Sequence, residues 1–141
     1  MRPTPAVRFV DTNVLLYAIS TTPAESAKRQ VARAILDSTD IALSVQVLQE
    51  FYVQATRPTR SGRLTHDQAL GLVEAWLRFP LQDISRPLMQ AAMLTAGNHR
   101  LSLWDAAIIE AARTLGCDVV LSEDLTDGQR FGSVRVENPF R

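Results

Sequence analysis

Four places in this 141-residue chain put acidic side chains where chemistry is most easily built: Asp11, Glu50, Asp105 and the pair Glu123-Asp124. Asp11 closes the β-prone run Val-Arg-Phe-Val at 7–10, and an apolar stretch with helix-compatible spacing begins at Val14, so Asp11 falls where a strand hands over to a helix. Glu50 lies in a helix after the apolar run Ile41-Ala-Leu43. Asp105 stands in the first turn of an alanine-rich helix, and Glu123-Asp124 follows Asp118-Val-Val-Leu121. Ligands of an open α/β sheet bind beyond the carboxyl ends of its strands, and right-handed crossovers bring those ends to one edge, so the acids can converge.

Convergence calls for a cation. Two carboxylates about 4 Å apart repel by roughly 4 kcal/mol at an effective dielectric near 20, so such a cluster protonates or separates unless a divalent metal neutralises it. An all-oxygen shell suits hard cations, Mg²⁺ or Mn²⁺. Two histidines and one cysteine count against zinc.

Each acid also has a purely structural reading. Asp11 is a favoured N-cap, as are Thr12 and Asn13; Glu50 can be a solvated helix residue; Asp105 can be the capping-box acid three places after Ser102; Asp124 can support an Asp-rich turn. The readings are compatible, since one carboxylate can cap and coordinate. The helix N-terminus at Asp105 also offers N–H donors to a phosphate.

The elements that must position these acids follow from local pattern. Thr22-Pro-Ala-Glu25 predicts a helix running to about Leu36, broken by Asp37 to Asp40. Ser44 caps a helix carrying Val45, Leu48, Phe51, Tyr52 and Ala55. Arg57 to Arg63 reads as a loop whose three arginines are solvated or clamp phosphate. Thr65 opens a helix to Leu77 that Pro80 stops, and Leu81 to Ile84 suits a short strand. Ser85 caps a helix ended by Gly97-Asn98, and Ser102 opens one through Arg113 with Gly116 past its end. Ser122 to Gly132 reads as a polar loop and Val134 to Val136 as a last strand. Short apolar runs alternating with helices predict a mostly parallel sheet in a three-layer α/β/α sandwich.

Composition bounds the rest. With 46% hydrophobic residues the chain suits a single domain spanning 1–141, and 15 basic against 15 acidic residues exclude the strongly basic balance of a general polyanion binder. Cys117 excludes an intrachain disulfide and reads as a core residue. With no apolar run long enough for a membrane span and no secretory pattern at the start, a cytoplasmic protein without membrane contact is expected. His66 and His99 lack ligand spacing; Trp76, Phe79 and Trp104 are read as core, although Trp104 can also line a site beside Asp105.

Four segments together resemble a known family: Phe-Val-Asp11-Thr-Asn, Val-Leu-Gln-Glu50-Phe-Tyr, Leu-Trp-Asp105-Ala-Ala-Ile-Ile-Glu-Ala-Ala and Val-Val-Leu-Ser-Glu123-Asp124-Leu. In this order, over nearly the whole chain, they are similar to the PIN-domain ribonucleases, and within them to VapC-type toxins of toxin-antitoxin pairs. The resemblance implies a PIN-like fold and an Mg²⁺-dependent endoribonuclease. It implies Asp11, Glu50, Asp105 and Asp124 as the catalytic acids, with Asp11 and Asp105 as metal positions and Asp124 a better match than Glu123. It also implies a VapB-like antitoxin partner and a homodimer.

Two other classes fit less well. Haloacid-dehalogenase-like phosphoryl transfer would use Asp11 as nucleophile, but it wants a second Asp two places on, where this chain has Asn13. A non-catalytic interaction domain would use the acidic pocket to receive a partner's arginine.

Overall fold

The computed structural model describes residues 8–141, so Val7, read above as strand, lies outside the described residues. In chain order the elements are β1 (Arg8–Val10), α1 (Thr12–Ala18), a single 3₁₀ turn (Pro23–Glu25), α2 (Ser26–Leu36), β2 (Ile41–Ser44), α3 (Val45–Ala55), α4 (His66–Trp76), β3 (Leu81–Gln82), α5 (Arg86–His99), α6 (Leu103–Thr114), β4 (Val119–Leu121), β5 (Arg130–Phe131) and β6 (Val134–Glu137).

The strands form one sheet in the order β3-β2-β1-β4-β6-β5, parallel except for the β5–β6 hairpin at the edge. Phe9 and Val10 of β1, Ile41 to Leu43 of β2 and Val120-Leu121 of β4 are buried, as expected of strands covered on both faces. Strand order runs outward from β1 through β2 to β3, then crosses back to β4 on the other side of β1. Right-handed crossovers therefore place α1 to α4 on one face and α5 with α6 on the other, giving the expected three layers. The packing agrees: α1 contacts α2 and α3, while α5 packs on α6 and α6 lies along β2, β4 and β6. Chain reversal between β1 and β4 makes a topological switch point, and its crevice opens at the carboxyl ends of those two strands.

Local chemistry accounts for the helix starts. Ser44, Ser85 and Ser102 accept from the N–H three residues on, and Thr65 with Gln68 forms a complete capping box. Thr22, by contrast, makes no side-chain cap: Pro23 starts a 3₁₀ turn, and Glu25 accepts from the Ser20 hydroxyl at 2.5 Å instead. Helix α5 runs through Gly97 and Asn98 and ends in a Schellman-type turn at Arg100, φ 56°, where Leu101 N–H reaches Ala96 C=O at 3.1 Å. Leu101, packed on the core, fixes that end rather than the glycine.

Three further expectations change. The strand after Pro80 is shorter, ending at Gln82. Arg130-Phe131 inside the polar loop is a strand, turned into β6 by Gly132-Ser133 with Gly132 at φ 67°. Trp104 is 63% exposed, because α6 buries the side carrying Ala106, Ile108, Ile109, Ala111 and Ala112. Trp76, Phe79 and Cys117 are in the core, and burial pushes the Cys117 thiol up to about 11. Among the described residues no helix is long and apolar enough to cross a membrane.

Candidate active site

Asp11 leaves the end of β1 and caps α1. Its Oδ1 accepts from Thr12 N–H at 2.7 Å, and its backbone N–H binds Leu121 C=O of β4 at 3.0 Å, which ties the carboxylate to the switch-point crevice. Its Oδ2 accepts from the fully buried Ser122 hydroxyl at 2.7 Å. Capping and site roles thus coincide in one side chain.

Two polar residues of α1 extend this contact to other acids. Thr12 Oγ1 donates to Glu50 Oε1 at 2.9 Å. The Asn13 amide group donates to Asp124 Oδ2 and to Ser122 Oγ, each at 3.2 Å, and at 3.4 Å to Asp11 Oδ2, while its carbonyl accepts from Glu123 N–H at 3.2 Å. Asp11, Glu50 and Asp124 are therefore joined, each through one neutral residue. Burial raises the Asp11 pKa from 3.8 to about 6; hydrogen bonds from Ser122 and Thr12 oppose the rise, and the charges of Asp124 and Glu50 add to it.

Glu123 and Asp124 part company here. Glu123 pairs with Lys28 Nζ at 2.6 Å and accepts from the Tyr17 hydroxyl, and Lys28 followed by Tyr17 holds its carboxyl below the usual range. Asp124, free of any cation among the described residues, faces the Asp11 network. Of the two, Asp124 is the one that shares Asn13 with Asp11.

Asp105 lies at the same sheet edge by topology. Because α6 leads into β4, it must run back along the sheet and start at the carboxyl edge. A bond from Gln46 Nε2, in the first turn of α3, to Trp104 C=O at 3.2 Å places the two first turns side by side. The Asp105 backbone N–H is capped by Ser102, and its carboxylate makes no hydrogen bond or ion pair among the described residues. The structure thus gathers Asp11, Glu50 and Asp124 and leaves Asp105 outside their network.

A divalent cation fits the donor chemistry of this site but not yet a closed cage. The donors are hard oxygens, and a buried carboxylate whose proton is retained to about 6 is one that a cation would stabilise. Among the described residues, however, no three His, Cys, Asp or Glu side chains stand close enough together to hold a metal ion. Thr12 and Asn13 occupy the spaces between the acids.

Sequence reasoning missed the connecting roles of Thr12, Asn13 and Ser122. For Thr12 and Asn13 the signal was the Asp-Thr-Asn run itself, read there as capping and within the family resemblance but not as a bridge between acids. A cavity of about 200 Å³ adjoins the network, lined by Asn13, Leu16, Tyr17, Glu25, Arg60, Glu123 and Asp124. Arg60 comes from the loop between α3 and α4; Arg57 and Arg63 of that loop are exposed. His66, exposed, bonds the Tyr52 hydroxyl at 2.9 Å, and His99 packs edge-on against Phe131; neither bonds one of these acids among the described residues.

The fold is shared with solved toxin structures. A toxin-antitoxin complex from Klebsiella pneumoniae superposes with a TM-score of 0.69 at 19% identity, over 94% of this chain and 97% of that one. A DNA-bound VapBC from Salmonella typhimurium gives 0.66 at 20% identity, over 94% and 98%. VapC20 of Mycobacterium tuberculosis, described as a sarcin-ricin loop cleaving toxin, gives 0.62 at 19%, over 83% and 91%. No curated protein matches in sequence. The PIN domain profile matches residues 8–126, which takes in Asp11, Glu50, Asp105 and Asp124, and the chain belongs to the PIN domain family.

Proposed function

We propose that this chain is a divalent-metal-dependent endoribonuclease and the toxin of a VapBC-type pair, acting in the cytoplasm as a single 1–141 domain. The observation that carries the reading is the network joining Asp11, Glu50 and Asp124 at the switch point of a PIN fold. Asp11 and Asp105 would hold Mg²⁺, or Mn²⁺ in its place. When bound, the cation supplies Lewis acidity at the scissile phosphate. Asp124 or Glu50 orients the attacking water, and Thr12 and Asn13 keep these acids apart when no cation offsets their charge. The first-turn N–H groups of α6 lie at the same edge and suit a phosphate oxygen.

The partners follow from the same reading. One solved structure of this fold is named as a toxin-antitoxin complex and another as a DNA-bound VapBC, which supports a VapB-like antitoxin for this chain. An apolar groove of about 550 Å³ lined by Leu48, Tyr52, Val53, Leu70, Val73 and Leu77 suits a partner's amphipathic segment. The exposed Ile84, Met89 and Met93 on and before α5, with Trp104 of α6, suit a second copy, in keeping with a homodimer.

The test is cleavage of RNA by purified, antitoxin-free protein with and without Mg²⁺. Asp11→Asn and Asp105→Asn should each lower the rate by at least about 10² while circular dichroism stays native. Wild-type rates in either folded variant remove that residue from the site. A second reading is favoured by one observation, the lack of three acids in metal-holding contact among the described residues: an interaction domain whose pocket receives a partner's arginine. Absence of metal-dependent cleavage by the partner-free protein would select it.

A further inference from the structure

We propose that Arg60 and the cavity it lines beside Asp124 form a subsite for one nucleotide of single-stranded RNA, in which the Arg60 guanidinium takes a phosphate flanking the scissile bond. The identity of the polymer rests on the nuclease reading above; the inference adds the residue that grips it.

Of the three loop arginines only Arg60 is half-buried and lines the cavity. Three carboxylates line it too, yet Arg60 forms no ion pair with any of them among the described residues. Each acid is otherwise engaged: Glu123 by Lys28 and Tyr17, Glu25 by Ser20, Asp124 by Asn13. Arg60 therefore stands among acids without being held there by their charge.

The loop backbone holds it. Leu64 N–H closes the loop on Ala55 C=O at 2.8 Å, and Arg60 N–H turns back to Arg57 C=O at 3.0 Å. Gly62 has φ 69°, and a Cβ there would come within 2.3 Å of Thr21 Oγ1, so the loop rests directly on the connection after α1. That contact brings Arg60 to the cavity and leaves Arg57 and Arg63 in solvent.

The chemistry matches a nucleotide. An unpaired guanidinium fork binds phosphate oxygens bidentately. Leu16 and Tyr17 give the cavity an apolar wall for a base or sugar, while Asn13 supplies an amide. At about 200 Å³ the space is below the ~300 Å³ needed to enclose a drug-sized ligand, so it suits one unit of a chain that continues into solvent. A polyanion approaching Asp124 needs local positive charge, and Arg60 is the arginine in position to supply it.

The test uses full-length protein carrying Asp11→Asn to suppress cleavage, and titrates a short labelled single-stranded RNA at several salt concentrations. Arg60→Ala should weaken binding about tenfold and make the fall of log affinity with log salt shallower by about 0.7. Arg57→Ala and Arg63→Ala should change neither, and Arg60→Lys should keep the slope while losing part of the affinity. An unchanged slope and affinity for Arg60→Ala, equal effects from all three arginines, or no RNA binding by the parent overturns the subsite. Cleavage of the same RNA by the chain with native Asp11 and Mg²⁺ is scored separately: its absence refutes the nuclease reading, while the salt titration still decides Arg60.

Discussion

Replacing Asp11 with Asn should make the metal-free protein more stable at neutral pH. Folded Asp11 keeps its proton up to about 6, against 3.8 ordinarily, because ionising it leaves a charge buried beside Asp124 and Glu50. Between those two values the folded protein holds a proton that the unfolded chain has released, so stability falls as pH rises and stays low above about 6. The gap corresponds to roughly 3 kcal/mol at most, or about 10 °C in Tm for a chain of this length. The Asp11→Asn side chain cannot ionise and escapes this loss. It carries a separate, pH-independent cost, since its amide hydrogens face Thr12 N–H or Asn13, so the slope rather than the offset reports on Asp11.

The assay is thermal or urea unfolding of both proteins in EDTA from pH 4 to 8. Glu123 and Asp40, whose pKa values are lowered, contribute stability that is lost as pH falls, but they do so in both proteins and cancel in the difference. The variant's advantage should grow between pH 4 and 6, then level off. Saturating Mg²⁺ should lift the wild type selectively and shrink the gap. Parallel pH curves for the two proteins would refute the account of Asp11 as a buried, charge-opposed carboxylate.

Two other substitutions probe neighbouring claims. Asp124→Asn should lower RNA cleavage by about 10² or more, whereas Glu123→Gln, which loses the Lys28 and Tyr17 contacts, should leave turnover near wild type; the reverse order in a single-turnover assay would exchange their roles. Gly62→Ala should destabilise by roughly 2 kcal/mol, because alanine is strained at φ 69° and meets Thr21; an unchanged urea midpoint would show that the loop does not rest there.

Features set by neighbours in sequence are legible without the structure. Ser44, Thr65, Ser85 and Ser102 cap as read because the N–H groups they satisfy lie within three residues. Gly97 misleads because the end of α5 is fixed by burial of Leu101, a tertiary fact. Arg130-Phe131 escapes notice although Gly132-Ser133 is a hairpin signal, since a two-residue strand has no period to detect. Size alone points Trp104 inward, and size does not say which side of a first turn faces the sheet. Asp11 and Asp124 stand out for a related reason, since each lies close behind a strand end, whereas Glu50 meets Asp11 only through Thr12 and Asp105 stays outside their network. Choosing between Glu123 and Asp124 from the residues themselves is out of reach, because the cation that engages Glu123 is Lys28, on a helix far away in sequence.

Asn13 shows how one side chain can carry both of the site's constraints. An acid two places after the first strand's Asp is what phosphoryl transfer through an aspartyl nucleophile would want. Here that place lies between Asp11, which is buried and already resists ionisation, and Asp124. A carboxylate at 13 would face both at hydrogen-bond range with no donor to offer, adding like charge where burial has raised its cost. An amide donates to both acids with its NH₂ and anchors the Glu123 peptide with its carbonyl, so it holds the loop after β4 against α1 without contributing charge. The same residue therefore argues against the nucleophile chemistry and ties Asp11 and Asp124 to one amide without adding charge between them.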